Sequence, residues 1–136
     1  VRPEEPARSE GHVLDASALL AFLQDEPGGE AVEELLGTSA ISSVNWSEVI
    51  QKALEKKTEV EGLREELESL GLEIVPFTAE LAEKTAYLRA ETRSLGLSLG
   101  DRSCLALADD LGRPAVTTDR IWGDLSLRVK VRVVSR

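Results

Sequence analysis

From His12 onward, short apolar runs alternate with longer stretches in which apolar residues recur every three to four positions. Val13 and Leu14 read as a very short strand. Leu19, Leu20 and Leu23 form the apolar side of a helix that "DEPGG" stops. Residues 30–36 read as a second helix, with Gly37 as its C-terminal stop. "SAISSV", residues 39–44, is a strand candidate, and "NWSEVIQKALEKK" follows with Val49, Ile50, Ala53 and Leu54 at helical spacing. "VEGLREELESLGL" is amphipathic up to Gly71, and "LEIVPF" reads as a strand ending at Pro76. Residues 78–94 form a long helix with Leu81, Thr85 and Leu88 on one face. Residues 98–111 are helical, "PAVTT" is a strand, "DRIWGDL" is a short helical turn, and "VKVRVV" closes as an alternating, edge-like strand.

Strands alternating with helices predict an α/β fold, a mainly parallel sheet with helices on both faces. There is no internal repeat and no low-complexity tract. Residues 1–11, "VRPEEPARSEG", are polar and show no apolar period, so a flexible N-terminal extension is expected there, with a single domain over 12–136.

Composition narrows the function classes. A chain of 136 residues suits one domain, and 42% hydrophobic residues suffice for a core. No apolar run approaches the ~20 residues of a membrane span, and no signal-peptide apolar region opens the chain. The single cysteine excludes an internal disulfide and makes a reducing cytoplasm the expected compartment. Net charge is -9, from 16 basic and 25 acidic residues. That disfavours broad electrostatic binding to nucleic acid, but leaves room for an enzyme that meets phosphate through metal ions.

Parallel α/β sheets place their sites outside the carboxyl ends of the strands. Asp15 follows the first strand, and Glu48 falls in the first turn of the helix after the second. Asp101 falls in the first turn of the helix that begins at Ser98, and Asp119 follows "PAVTT". Each acid also has a local explanation. "NWSE" and "SLGD" fit capping boxes, and Asp15 and Asp119 fit helix caps. Their joint occurrence is harder to explain this way. Two carboxylates ~4 Å apart repel by roughly 4 kcal/mol at an effective dielectric of ~20, whereas a cap returns only about 1 kcal/mol. Converging acids therefore take up protons or bind a cation. Oxygen-only donors suit Mg²⁺ or Mn²⁺, which can bind a phosphate oxygen and activate water.

"VLDASALLAFL", "SSVNWSEVI", "SLGLSLGDRSCLALA" and "AVTTDRIW" resemble the acidic blocks of PIN-domain ribonucleases, in particular the VapC-type toxins of bacterial toxin–antitoxin pairs. The resemblance runs from about His12 to the C-terminus. It implies a five-stranded α/β/α sandwich and a Mg²⁺- or Mn²⁺-dependent endoribonuclease that leaves 5′-phosphate and 3′-hydroxyl ends. Asp15, Glu48, Asp101 and Asp119 match the family's metal-binding acids, and Ser17, Asn45 and Thr117 match polar positions that support them. The resemblance also implies an RNA substrate, a cognate antitoxin and a homodimer, with no membrane. Residues 44–57 and 60–70 are the candidate docking helices.

Other residues have plainer readings. Arg89, Arg93, Arg102 and Arg120 are candidate rim contacts to phosphate, with helix-surface charge the competing reading. His12, the only histidine, is structural, and Cys104 is a buried thiol among leucines and alanines. Trp46 and Trp122 are packing or interface residues. Two other functions compete: a non-catalytic PIN-like module that binds RNA or protein, and a phosphatase-like hydrolase using Asp15. The latter requires a second acid at the position that Ser17 occupies.

Overall fold

The computed structural model describes residues 11–134. Residues 1–10 lie outside that range, and with them nearly all of the expected extension; Gly11 is buried. Five strands, β1 (His12–Leu14), β2 (Ser39–Ser42), β3 (Glu73–Val75), β4 (Ala115–Thr117) and β5 (Val131–Val133), pair in the order β3-β2-β1-β4-β5. Every pairing is parallel. The helices are α1 (Ala16–Leu23), α2 (Gly29–Leu35), α3 (Ser43–Glu55), α4 (Leu63–Ser69), α5 (Ala79–Thr92) and α6 (Leu99–Leu111). None among the described residues is long and apolar enough to cross a membrane.

Alternation along the central strands explains how this short sheet is buried on both faces. Leu14, Ile41 and Val116 stand in register on one face and pack on Ala18, Leu19, Val32, Val49 and Leu67 from α1 to α4. Val13, Ala40 and Ala115 stand in register on the other, against Leu81 of α5, Cys104 and Ala108 of α6, and Trp122. Each fully buried Leu, Ile or Val contributes about 1.5–3 kcal/mol. Trp122, 1% exposed, is therefore a core residue, and Trp46 is half-buried against the α1–α4 cluster.

Three local readings of the sequence are corrected. Gly37 does not stop α2 in a left-handed conformation: the helix tightens into a 3₁₀ turn, Leu36–Thr38, that contains it. Gly71, at φ +108°, lies so close that a Cβ on it would stand 2.7 Å from the Gly37 Cα. The second correction bears on the site. α3 starts at Ser43 because the Ser42 side chain accepts from the Val44 amide at 3.2 Å. Glu48 therefore sits in the second turn rather than the first, and "NWSE" is no capping box. Third, the helix over 78–94 runs as α5 only to Thr92 and then tightens into the 3₁₀ turn Arg93–Leu95.

The strand order sets the position of the site. The chain moves outward from β1 through β2 to β3, then returns across the sheet to β4 beside β1. This reversal opens a crevice at the carboxyl ends of β1 and β4.

Candidate functional site

Asp15 leaves β1 at that crevice and caps α1. Its Oδ1 accepts from the Ala18 amide at 2.8 Å and from Ser17 Oγ at 2.7 Å; its Oδ2 accepts from Thr117 Oγ1 at 2.6 Å. Ser17 Oγ accepts from the Thr118 amide, and Thr117 Oγ1 from the Asp119 amide, both at 3.0 Å. This network ties the end of β1 to the end of β4. Asp15 is nonetheless 4% exposed. Burial pushes its carboxyl up to about 6, opposed by the bonds from Thr117, Ala18 and Ser17 and reinforced by the charge of Asp101.

Glu48 arrives from α3. Its Oε1 accepts from Asn45 Nδ2 at 2.9 Å, and the same nitrogen donates to the Gly100 carbonyl at 2.9 Å. Asn45 thus fastens α3 to the first turn of α6, while its buried Oδ1 has no partner among the described residues. Gly100 makes room: a Cβ there would lie 2.5 Å from both Glu48 carboxylate oxygens.

Asp101 opens α6 and forms the expected capping box with Ser98. Its Oδ2 accepts from the Ser98 amide at 3.0 Å. Asp119 caps the 3₁₀ turn Arg120–Asp124 by accepting from the Ile121 amide at 3.0 Å. Three of the four acids therefore do serve as caps. Glu48 does not.

The four acids line one cleft of about 210 Å³ together with Ser17, Asn45, Leu20 and Lys52. Larger hollows lie elsewhere, one of about 400 Å³ bordered by Asp109, Arg113, Arg128 and Lys130 before β4 and β5. Convergent unpaired charge, not volume, distinguishes the smaller one. None of its four acids enters a salt bridge among the described residues. Oxygen donors, a desolvated carboxylate and the orphaned Asn45 Oδ1 suit a hard divalent cation. As placed, no three His, Cys, Asp or Glu side chains among the described residues are grouped to hold a metal ion. Mutual repulsion of roughly 4 kcal/mol per pair at ~4 Å opposes closer approach.

The arginines expected at the rim do not line the cleft. Arg102 is turned to α5, with Nη1 donating to the Thr85 carbonyl at 3.0 Å. The cation on the wall is Lys52, one helical turn after Glu48 on α3. The i, i+4 spacing was its one sequence signal. Gly100 carried none beyond its place in "SLGD". Cys104 is buried, and burial, with the charges of Asp15, Asp101 and Glu48, raises its thiol well above the ordinary range.

No curated protein matches the sequence. Solved structures do match the fold. The chain is similar to a chain of a toxin–antitoxin complex from Klebsiella pneumoniae, at 23% identity and a TM-score of 0.70, covering 85% of this chain and 93% of that one. It is also similar to DNA-bound VapBC from Salmonella typhimurium, at 19% identity and a TM-score of 0.68, covering 90% and 97%. VapBC2 from Rickettsia felis, bound to a DNA fragment from its promoter, matches at 21% identity and a TM-score of 0.65, covering 91% and 98%. A family model described as the PIN domain matches residues 12–126, nearly the whole of the described sheet and all four acids. The parallel five-stranded sheet, its acidic crevice and this match over most of the sequence together establish that the chain belongs to the PIN-domain family.

Proposed function

We propose that this protein is a divalent-metal-dependent endoribonuclease that hydrolyses RNA phosphodiesters, acting as the VapC-type toxin of a toxin–antitoxin pair in the cytoplasm. The observation that carries the reading is the convergence of Asp15, Glu48, Asp101 and Asp119, from four separate segments, on one cleft with no basic partner engaged among the described residues. The non-catalytic alternative rests on the capping roles of Asp15, Asp101 and Asp119. Glu48 counts against it, because a carboxylate that caps nothing is held here by a buried asparagine.

Asp15, Glu48, Asp101 and Asp119 would hold Mg²⁺ or Mn²⁺. Bound there, the ion would supply a Lewis acid for the phosphate and lower the pKa of water. Ser17 and Thr117 orient Asp15 through both of its oxygens, and Asn45 orients Glu48. Such supporting contacts are typically worth 10–100-fold in metal affinity or activity. A cognate antitoxin is supported by the toxin–antitoxin and VapBC complexes among the structural neighbours. Its candidate docking surface is α3 and α4, where Leu54 of α3 and Leu70, directly after α4, are more than half exposed, and a homodimer is the proposed assembly.

The test is cleavage of a mixture of structured RNAs by purified, partner-free protein, with Mn²⁺, with Mg²⁺ and with chelator. Cleavage is expected only with metal. Asp15→Asn should reduce it by about 100-fold or more, the scale of losing one charge-stabilising group, while circular dichroism stays unchanged. Undiminished cutting by Asp15→Asn, or by the wild type in chelator, would refute the assignment.

A further inference from the structure

Lys52 is set apart by its place on the wall of the acidic cleft. It lies on α3 four residues after Glu48 and is the cationic side chain among the described residues lining the acidic cleft. Among the described residues its ammonium makes no side-chain hydrogen bond or salt bridge, although four carboxylates share the cleft. Several other cations are engaged: Lys56 with Glu26 at 3.6 Å, Lys84 and Arg128 with Asp109, and Arg102 with the Thr85 carbonyl. Lys52 is also exposed, so core packing does not account for its position; its place in the last turn of α3, four residues after Glu48, also suits the helix dipole.

A chain of net charge -9 repels a polyanion over most of its surface. A strand entering this cleft therefore needs cations close to the acids, and an ammonium on a flexible stem serves a phosphate as a point charge. Lys52 stands four residues, about 6 Å along α3, beyond Glu48.

We infer that Lys52 binds a phosphate of the RNA strand at the α3 wall of the cleft, and so is a substrate-binding residue of the proposed nuclease. The inference rests on the nuclease reading, and its test separates the two. Binding of a fluorescently labelled single-stranded RNA is measured by anisotropy between 50 and 200 mM salt, roughly the range over which phosphate contacts are resolved. The protein is the full chain carrying Asp101→Asn, with Mg²⁺ present, so that RNA is bound but not cut. Adding Lys52→Ala should weaken binding about 3–10-fold and reduce the log–log salt slope by about 0.7, one phosphate contact on a single strand. Lys52→Arg should restore the slope, and Lys56→Ala should leave it unchanged.

In the otherwise wild-type protein, Lys52→Ala should raise KM more than it lowers kcat. An unchanged salt slope in Lys52→Ala, with metal-dependent cleavage intact in the wild type, overturns the Lys52 inference and leaves the nuclease standing. Tighter Mn²⁺ binding by Lys52→Ala with unaltered RNA binding overturns it too, and assigns Lys52 as a counter-ion to the acids. No RNA binding and no cleavage by wild-type protein overturns both.

Discussion

The two ends of α6 carry acids in opposite circumstances. Near its C-terminus, Asp109 is gripped by Arg128, whose Nε and Nη2 donate to Oδ1 and Oδ2 at 2.9 Å, and by Lys84 at 2.6 Å. The hydrogen bond from Arg128, with help from Lys84, holds the Asp109 carboxyl below its ordinary value. At the N-terminus, Asp101 faces Asp15, Glu48 and Asp119 across a shared cleft, and burial pushes Asp15 up to about 6. One helix thus joins an acid neutralised by the protein to a group that the protein leaves unneutralised. Asp109 supports the packing of α5, α6 and the segment before β5. The burial of Asp15 in the acidic crevice works against folding, a cost that the proposed binding of an external cation would offset.

The largest expected effect that would break this contrast concerns Asp15. Its native carboxyl binds a proton more tightly than the unfolded one, so stability is fully present below about pH 4. It declines as pH rises to about 6. A shift of about two units corresponds to roughly 3 kcal/mol. Urea unfolding in chelator should therefore show Asp15→Asn more stable than the wild type at pH 7 by up to about 3 kcal/mol, with the slope between pH 4 and 6 flattened. A variant that is less stable at pH 7 would mean that the hydrogen bonds from Thr117, Ser17 and Ala18 outweigh the desolvation.

Gly100→Ala sharpens the picture at intermediate size. Alanine is favoured over glycine inside a helix by about 1 kcal/mol, and its methyl meets the mobile end of Glu48 rather than backbone. The melting temperature should hardly change, while cleavage falls about tenfold, or 1.4 kcal/mol in barrier, because the Glu48 carboxylate is displaced. Equal losses in both measurements would assign Gly100 to packing alone.

The smallest effect belongs to Asp109→Asn. A depressed carboxyl contributes stability above its unfolded value and loses it as pH falls through the folded one. The variant should melt slightly below the wild type at pH 7, converge with it in acid below about pH 4, and cleave RNA normally. A cleavage defect would show that the two ends of α6 are coupled.

Much of this arrangement was legible along the chain. Period-two and period-3.6 patterns marked the strands and helices, since each element must bury one side or both. The acids after β1 and β4 and at the head of α6 could be placed because strand ends and helix caps are local features. The exceptions lie where a competing cap or a neighbouring element decides. α3 begins two residues before Asn45 because of Ser42, which moved Glu48 to the second turn and removed its local explanation. Gly37 looked like a helix stop, but it belongs to a 3₁₀ turn on which Gly71 closes. Arg102 resembled a phosphate contact until α5 claimed it.

By itself, then, the sequence determined the α/β class, the placement of most elements and the residue types available for chemistry, all of which follow from local propensity and burial pattern. Only the tertiary structure brought Asp15 into hydrogen-bonding range of Thr117 across 102 positions, and Asn45 to Gly100 across 55. The same packing selected Lys52 over the arginines as the cation of the cleft. Such choices depend on strand order and helix rotation, which emerge when two faces of one sheet are covered at once.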